Sequence, residues 1–276
     1  MQIIDAHQHF WQFDPVRDSW INNEMLVIKK DFLPADLLPV LQNNKVDGCI
    51  VVQSDQSEKE NEFQLSNAGT FDFIQGVIGW VDLQSPDVED RLNYYSSFKK
   101  MKGFRHILQE ETDRQLMLKP AFTNGISLLE KYNFTYDLLI FPDQIKYAVQ
   151  LAAKYPNQKF VINHIAKPNI KDQQIVDWAK DMRALADHKN VYCKVSGMVT
   201  EANWKGWNKT DFTPYFDVIV NSFGADRIMF GSDWPVCLLA ASYNQTLEIM
   251  MDYFSSFTIN ENAKFFALNA IKFYNL

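Results

Sequence analysis

Short apolar segments alternate along the chain with longer segments of helix-like pattern. Eight apolar segments are rich in β-branched or aromatic residues, which is typical of strands buried on both faces of a parallel sheet. These predicted strands cover residues 2–7, 47–53, 73–81, 102–107, 134–140, 159–164, 191–196 and 228–232. Predicted helices follow them at residues 34–44, 58–70, 87–99, 120–132, 142–155, 172–188, 211–223 and 239–254, with a final helix at 261–274.

Eight strand–helix units in 276 residues have the length and pattern of a (β/α)8 TIM barrel. We therefore predict an α/β fold with a single domain over residues 1–276. A doubly wound open sheet is the alternative, and it would be expected to carry a glycine-rich turn after the first strand. No such turn occurs, and the chain has only 10 glycines, so neither a dinucleotide-binding nor a phosphate-binding loop is present.

Composition narrows the possible functions. The chain is 47% hydrophobic, enough for a large core, and its net charge of −7 argues against a nucleic-acid-binding surface. No apolar run reaches the roughly 20 residues of a membrane helix. Because the first predicted strand begins at residue 2, we expect no signal peptide. Cys49, Cys193 and Cys237 are widely spaced and are expected to be reduced and buried. We expect a cytoplasmic protein that acts on a small molecule, and the oligomeric state stays open.

The first predicted strand ends in two histidines separated by one residue. Because residues i and i+2 of a strand point to the same face, His7 and His9 are expected to present two imidazoles side by side. Such a pair suits a divalent metal. Asp5 has the same parity and is expected one layer deeper, as an orienting group. The pattern is short, and both histidines could equally be ordinary polar residues at a strand end.

Reactive side chains also fall at the ends of other predicted strands, where TIM barrels carry their active sites. Four of the five histidines follow this rule, which favours one functional site over scattered polar groups. The side chains concerned are Arg105 and His106 in strand 4, Asp137 in strand 5, His164 in strand 6, Lys194 in strand 7 and Asp233 after strand 8.

The orientation of several of these side chains stays open. Only one of Arg105 and His106 can point inward if strand 4 is regular, although both are candidates for substrate binding. The planar guanidinium of Arg105 suits a carbonyl group, or a salt bridge at the barrel rim. Lys194 either binds substrate or extends to a helix carboxylate, and Asp137 is expected to be structural.

Two long loops, residues 10–33 and 197–210, follow strands 1 and 7 and are rich in tryptophan. Long loops in a compact domain are usually functional or disordered, and aromatic content argues against disorder. Trp11 is therefore a candidate for substrate contact, with packing over the barrel mouth as the alternative.

A set of short motifs occurs in order along the chain: Asp5-Ala6-His7-Gln8-His9, Lys102-Gly103-Phe104-Arg105-His106, Val161-Ile162-Asn163-His164, Lys194-Val195-Ser196-Gly197 and Phe230-Gly231-Ser232-Asp233-Trp234-Pro235. With these motifs the chain resembles the amidohydrolase superfamily. More narrowly, it resembles the amidohydrolase-related (amidohydrolase 2) group, which contains sugar lactonases of the L-fuconolactonase and L-rhamnonolactonase type. The resemblance covers essentially the whole chain.

The resemblance implies a metal site formed by His7, His9, His164 and Asp233. Dinuclear amidohydrolases bridge two metals with a lysine or glutamate from strand 4 and use a histidine from strand 5. Here strand 4 offers Arg105 and strand 5 offers no histidine, so at most one divalent metal is expected, with zinc as the candidate. Some relatives in this group work without a metal, which leaves open whether one is required.

The resemblance also implies a reaction, the hydrolysis of an aldonolactone such as L-fucono- or L-rhamnonolactone. Asp233 would act as general base, while Arg105 and His164 would stabilise the carbonyl oxygen. From the properties of the residues themselves, Arg105 and His106 are predicted to bind the substrate and stabilise the oxyanion, and Trp11 and Lys194 are predicted to contact the substrate. A metal-dependent decarboxylase of the same superfamily and a non-catalytic binding barrel are the alternatives, and the sugar and its ring size stay open.

Overall fold

The computed structural model describes all residues from Met1 to Leu276. Eight parallel strands form one sheet, in which each strand pairs with the next along the chain. They are β1 (Ile4–Gln8), β2 (Gly48–Val52), β3 (Ile74–Gly79), β4 (Met101–His106), β5 (Thr135–Leu138), β6 (Phe160–Ile162), β7 (Val191–Val195) and β8 (Ile228–Phe230). The predicted (β/α)8 TIM barrel is confirmed.

The sheet closes on itself just after β8. The Asp233 N–H donates to the His7 carbonyl at 2.8 Å, and the His9 N–H donates to the Trp234 carbonyl at 2.7 Å. An open doubly wound sheet would leave its first and last strands unpaired, so that alternative is wrong. Closure brings the residues that follow β8 against the histidine end of β1.

Helices surround the barrel and follow the strands as predicted. They are α1 (Pro34–Asn43), α2 (Glu58–Thr70), α3 (Val88–Ser96), α4 (Pro120–Leu129), α5 (Ile145–Lys154), α6 (Val176–Ala186), α7 (Met198–Glu201), α8 (Lys209–Phe223) and α9 (Tyr243–Phe254). The short α7 was not predicted, because it lies inside the second long loop. The helix predicted from residue 239 begins at Tyr243, where the preceding Ser242 hydroxyl accepts a hydrogen bond from the Gln245 N–H. No helix is long and apolar enough to cross a lipid bilayer.

The C-terminal segment covers the lower end of the barrel. It forms α10 (Ile259–Ala263), a π-helical turn (Lys264–Leu268) and α11 (Asn269–Tyr274) instead of the single helix predicted at 261–274. Lys102, near the start of β4, donates through Nζ to the Asn275 carbonyl at 2.8 Å, so α11 lies at the N-terminal ends of the strands. The C-terminal ends of the strands therefore remain available for a site.

The barrel interior contains an apolar cluster distinct from the larger core between strands and helices. Side chains from five strands meet there with side chains from the C-terminal segment. The strand residues are Ile4, Ala6, Ile50, Val52, Ile78, Val161 and Met229, and the C-terminal residues are Ala267, Ala270, Phe273 and Tyr274. The interior is thus a packed core rather than a pore, as in other TIM barrels.

Candidate active site

An irregularity in β1 decides which of its side chains face the barrel interior. Between Asp5 and Gln8, β1 holds two residues where β2 holds one, which is a β-bulge. His7 lies within the bulge, and both His7 and His9 direct their imidazoles into the site, with their Nε2 atoms 3.2 Å apart. The prediction that these two imidazoles lie side by side is confirmed.

The same bulge places Asp5 on the opposite face of β1 from His7. The prediction that Asp5 shares the face of the histidines is therefore wrong, because it assumed an unbroken strand. The Asp5 carboxylate accepts hydrogen bonds from the Ser232 N–H at 2.9 Å and from the Tyr243 hydroxyl of α9 at 3.1 Å. Burial raises the pKa of Asp5 to about 6. Asp5 thus holds the residue before Asp233 rather than an imidazole.

Asp233 lies at the centre of the histidine cluster. Its Oδ1 atom is 3.4 Å from His9 Nε2, 3.8 Å from His164 Nε2 and 3.9 Å from His7 Nε2. None of the four side chains is more than 7% exposed. The structure therefore brings together the four residues that the resemblance implied as metal ligands, although they come from three separate parts of the chain.

His164 begins a left-handed turn after β6. Four consecutive residues, His164–Lys167, have φ between 48° and 58°, which costs a non-glycine residue about 1 kcal/mol or more each. Gly197 lies beside this turn, and an added Cβ there would collide with the His164 imidazole. The turn aims His164 Nε2 at Asp233 and carries Lys167 to the cavity rim.

Arg105 faces the barrel interior and lines the cavity. Its guanidinium donates to the carbonyl and side-chain oxygens of Gln53 and, at 3.3 Å, to Asn163 Oδ1. Its Nη1 atom is also 3.4 Å from His7 Nε2, while the buried Nε–H has no partner in the protein. Arg105 therefore presents a fixed cation beside the histidines.

His106 points to the outer face of β4, as strand alternation requires of the residue after Arg105. Its Nδ1 accepts a hydrogen bond from the Trp80 indole at 3.3 Å, and its Nε2 lies 2.7 Å from Glu111 Oε1. The prediction that His106 binds substrate is wrong, because its imidazole is occupied by these two groups outside the cavity.

Lys194 does not reach the cavity either. Its Nζ lies 2.6 Å from Asp137 Oδ2, and both side chains are fully buried inside the barrel. The prediction that Lys194 binds substrate is wrong, since its ammonium group is committed to this ion pair. The structural interpretation of Asp137 agrees with the observed geometry.

A cavity of about 400 Å³ opens above the histidine cluster. Trp11 forms part of its wall, together with Trp20 and Trp204 from the two long loops. Lys167 and Glu201 also line the cavity, with Lys167 Nζ 3.6 Å from Glu201 Oε1. These two residues were missed, because neither the left-handed turn nor the short α7 leaves a sequence signal.

Residues 4–276 match the sequence model of a protein family described as amidohydrolase. The chain belongs to the amidohydrolase family. It is 35% identical over 257 residues to an L-fucono-1,5-lactonase from Burkholderia multivorans, covering 90% of this chain and 86% of the relative. A solved amidohydrolase from Burkholderia multivorans with bound zinc is 33% identical, with a TM-score of 0.96 over the full length of both chains.

Decarboxylases resemble this amidohydrolase more distantly. The solved 2,6-dihydroxybenzoate decarboxylase from Rhizobium has a TM-score of 0.71 at 14% identity, covering 100% of this chain and 99% of its own. At that identity the similarity extends to the fold alone. The decarboxylase alternative therefore gains no support beyond the shared barrel.

The donor atoms of this amidohydrolase fit a divalent metal. His7, His164 and Asp233 each offer one atom, and these atoms lie within 4.8 Å of one another. His9 Nδ1 is 2.7 Å from the Val52 carbonyl, which can only accept, so Nδ1 carries the proton and Nε2 presents its lone pair to the site. Imidazole nitrogens and a carboxylate oxygen form a typical ligand set for such ions.

Burial keeps all three histidines of the cluster neutral. Desolvation is the main cause of the shift in each case. It lowers the pKa of His164 to about 3, and it lowers the pKa values of His9 and, more strongly, His7 below that of a free histidine. Neutral imidazoles retain their lone pairs, so the cluster is prepared to bind a cation. Burial also raises the pKa of Asp233, but its polar and charged surroundings, which include His164, His9 and the cation Lys167, outweigh burial and leave the pKa below its usual value.

We expect the metal-free protein to lose roughly 2–4 kcal/mol of unfolding free energy between pH 7 and pH 5. Below pH 6.5 the unfolded chain protonates the three histidines, whereas the folded chain does so only at lower pH, so stability falls as the pH falls. Burial raises the pKa values of Asp5, Glu60 and Glu201, so these carboxyl groups oppose the trend and make the net loss smaller than three histidines alone would cause. Urea unfolding of chelator-treated protein at both pH values measures the difference.

The variant His164→Asn provides the control, because it removes one titrating imidazole from the cluster. It should reduce the difference in unfolding free energy between the two pH values. An equal or greater stability at pH 5 in the unsubstituted protein would contradict the neutral state of the cluster.

Proposed function

We propose that this amidohydrolase opens the ring of a sugar-acid lactone by hydrolysis, with L-fucono-1,5-lactone as the first substrate to test. The observation that carries the proposal is the convergence of Asp233, His9, His164 and Arg105 on one cavity, with the buried His7 imidazole beside Asp233. The similarity to an L-fucono-1,5-lactonase over most of the chain supports the substrate class. A lactone is a cyclic ester, whose hydrolysis needs an activated water, a polarised carbonyl and a proton for the leaving oxygen.

Asp233 is assigned as the general base. Because its pKa lies below the usual value of an aspartate, the carboxylate is ionised near neutral pH and can take a proton from the attacking water. As the carbonyl carbon becomes tetrahedral and the ring C–O bond breaks, Asp233 returns that proton to the ring oxygen. The products are then a hydroxyl group and a carboxylic acid, which loses its proton to solvent, and Asp233 is ionised again.

Arg105 is assigned to the carbonyl oxygen, which gains negative charge as water adds. The guanidinium is held by Gln53 and Asn163 and lines the cavity. A donor already held in place stabilises the developing oxyanion without reorganisation during the reaction. His164 Nε2 lies 3.8 Å from Asp233 Oδ1 and is assigned to the same polar environment around the carbonyl.

The donor cluster would hold one metal ion, which we propose to be zinc, through His7, His164 and Asp233 with His9 alongside. When bound, the ion supplies Lewis acidity to the site.

The cavity wall suits a polyhydroxylated ring. Trp11, Trp20 and Trp204 offer flat apolar surfaces, whereas Lys167 and Glu201 offer a donor and an acceptor for neighbouring hydroxyl groups. Trp11 is therefore assigned to substrate binding, together with Arg105. The cytoplasmic location stays a prediction, as does a role in carbohydrate metabolism, and three free, buried cysteines agree with a reducing compartment.

A panel of sugar lactones tests the proposed function. Proton release should accompany the opening of L-fucono-1,5-lactone and, at a lower rate, of related aldonolactones. The same preparation is assayed for CO₂ release from 2,6-dihydroxybenzoate, which should not occur. CO₂ release without lactone opening would overturn the proposal in favour of a decarboxylase, and ligand binding without either reaction would favour a non-catalytic barrel.

We expect the purified protein to bind at most one equivalent of zinc per chain. The guanidinium of Arg105, with Nη1 3.4 Å from His7 Nε2, places a positive charge beside the donors and leaves no carboxylate bridge for a second ion. Elemental analysis after dialysis against zinc measures the stoichiometry. His164→Asn should lower zinc retention, whereas Asp226→Asn, on the surface, should not. Two retained equivalents would contradict this expectation.

A further inference from the structure

A buried polar network lies directly beneath the cavity and is not used by the proposed mechanism. Its centre is the carboxylate of Asp137, which receives three donors. Lys194 Nζ lies 2.6 Å from Oδ2, Asn163 Nδ2 donates to Oδ2 at 2.9 Å, and the Tyr274 hydroxyl donates to Oδ1 at 3.0 Å. None of these groups is more than 2% exposed. A polar cluster this deep is costly unless every member is satisfied, so its geometry is tightly specified.

The network reaches the active site through Asn163. Because the Asn163 amide nitrogen donates to Asp137, its oxygen must face the other way, and it accepts from Arg105 Nη1 at 3.3 Å. Asn163 also immediately precedes His164, at the start of the left-handed turn. The orientation of one amide therefore links Asp137 to the guanidinium assigned to the carbonyl oxygen.

Tyr274 connects this network to the opposite end of the barrel. The residue lies in α11, and its ring packs in the inner apolar cluster, which includes Phe273 and Met229. Its hydroxyl reaches Asp137, while Lys194 Nζ lies 5.2 Å from the centre of its ring. The Tyr274 side chain thus contacts both Asp137 and Lys194 from the N-terminal end of the barrel.

We propose that Tyr274 is a positioning residue for Arg105, acting through Asp137 and Asn163. The proposal rests on the proposed function, in which Arg105 binds the carbonyl oxygen. The Tyr274 hydroxyl fixes one carboxylate oxygen of Asp137, so that the other stays directed at the Asn163 amide. Without that hydroxyl, Oδ1 of Asp137 has no donor in the network, so the carboxylate can rotate about its contact with Lys194 and the Asn163 amide loses the bond that sets its orientation.

Tyr274→Phe tests the proposal, because it keeps the ring and removes only the hydroxyl. We expect kcat for lactone opening to fall about tenfold with KM nearly unchanged, since the carbonyl contact strengthens in the transition state. Tyr136→Phe is the matched control. Tyr136 is a fully buried phenol next to Asp137 in sequence, but its hydroxyl forms no hydrogen bond, so kcat should stay at the level of the unsubstituted protein.

A double-mutant cycle separates positioning from general destabilisation. In an Arg105→Met background, Tyr274→Phe should cause no further loss of kcat, because its effect passes through the guanidinium. Thermal unfolding of each variant confirms that the compared proteins are folded. A full tenfold loss in both backgrounds, or a Tyr274→Phe protein as active as Tyr136→Phe, would overturn the proposal.

A crystal structure of Tyr274→Phe gives a readout that does not depend on the substrate. The distance between Arg105 Nη1 and Asn163 Oδ1 should lengthen beyond hydrogen-bond range, and an unchanged distance would overturn the positioning role. Failure of the unsubstituted protein to open any lactone would contradict the proposed function instead, so the two failures are distinguishable.

Discussion

Asp233→Asn is expected to lower kcat for lactone hydrolysis by about 10³-fold while leaving substrate affinity within about threefold. Asparagine has nearly the same shape, but its amide cannot take a proton from water or return one to the ring oxygen. The hydroxyl groups of the substrate would still meet the same cavity wall. Steady-state rates on L-fucono-1,5-lactone and calorimetric titration with the product acid measure the two quantities.

Asp226→Asn is the matched control for this prediction. Asp226 is an aspartate paired with Lys264, but its side chain is 74% exposed and is not among the residues that line the cavity. Surface ion pairs of this kind contribute little to stability, so the variant should fold normally. Because Asp226 takes no part in the site, kcat should not change. A kcat for Asp233→Asn within tenfold of the unsubstituted protein would contradict the assignment of Asp233 as the base. An equal loss of rate and affinity would indicate a binding role.

The barrel and the location of its site could be predicted because both depend on local pattern. Apolar strands separated by helical segments define the eight units, and the C-terminal ends of parallel strands meet at one end of the barrel. His164 and Asp233 therefore lie near His7 even though more than 150 residues separate them from it in the chain. Barrel closure, through the backbone bonds after β8, completes that convergence.

Asp5 was assigned to the wrong face because a β-bulge has no sequence signature here. Because β1 holds one extra residue at the bulge, the residues before the bulge point to the opposite face from the one that regular alternation predicts. The sequence could show that only one of Arg105 and His106 points into the barrel, because neighbouring side chains of a strand point to opposite faces. It could not show which of the two does so. Which of the two points inward depends on the register of β4 against β3 and β5, which is a property of the assembled sheet.

Lys194 shows a different limit. Its position at the end of β7 is the same whether it binds substrate or forms an ion pair. Its partner, Asp137, lies 57 residues earlier in the chain, and only the closed barrel brings the two together. Lys167 and Glu201 were missed for a related reason, because they reach the cavity through backbone conformations, a left-handed turn and a four-residue helix, that propensity does not predict.

Arg105→Met is expected to lower kcat by about 10²–10³-fold, the usual cost of removing a donor to a developing oxyanion. Methionine fills much of the same volume but leaves the carbonyl oxygen without a cation or donor on that side. KM should change less than kcat, because the contact is stronger in the transition state than in the bound lactone. Arg183→Met, an exposed position on α6, is the control and should leave both constants unchanged.

Arg105→Lys separates charge from geometry at the same position. Lysine restores the positive charge but, as a single ammonium group, it cannot contact Gln53, Asn163 and the carbonyl oxygen in one plane. If the planar arrangement of the guanidinium donors matters, Arg105→Lys should have less than a tenth of the kcat of the unsubstituted enzyme. Recovery to near the level of the unsubstituted enzyme would mean that a positive charge in the barrel suffices. The fixed orientation of the guanidinium, and with it the buried network below, would then be unnecessary for the reaction.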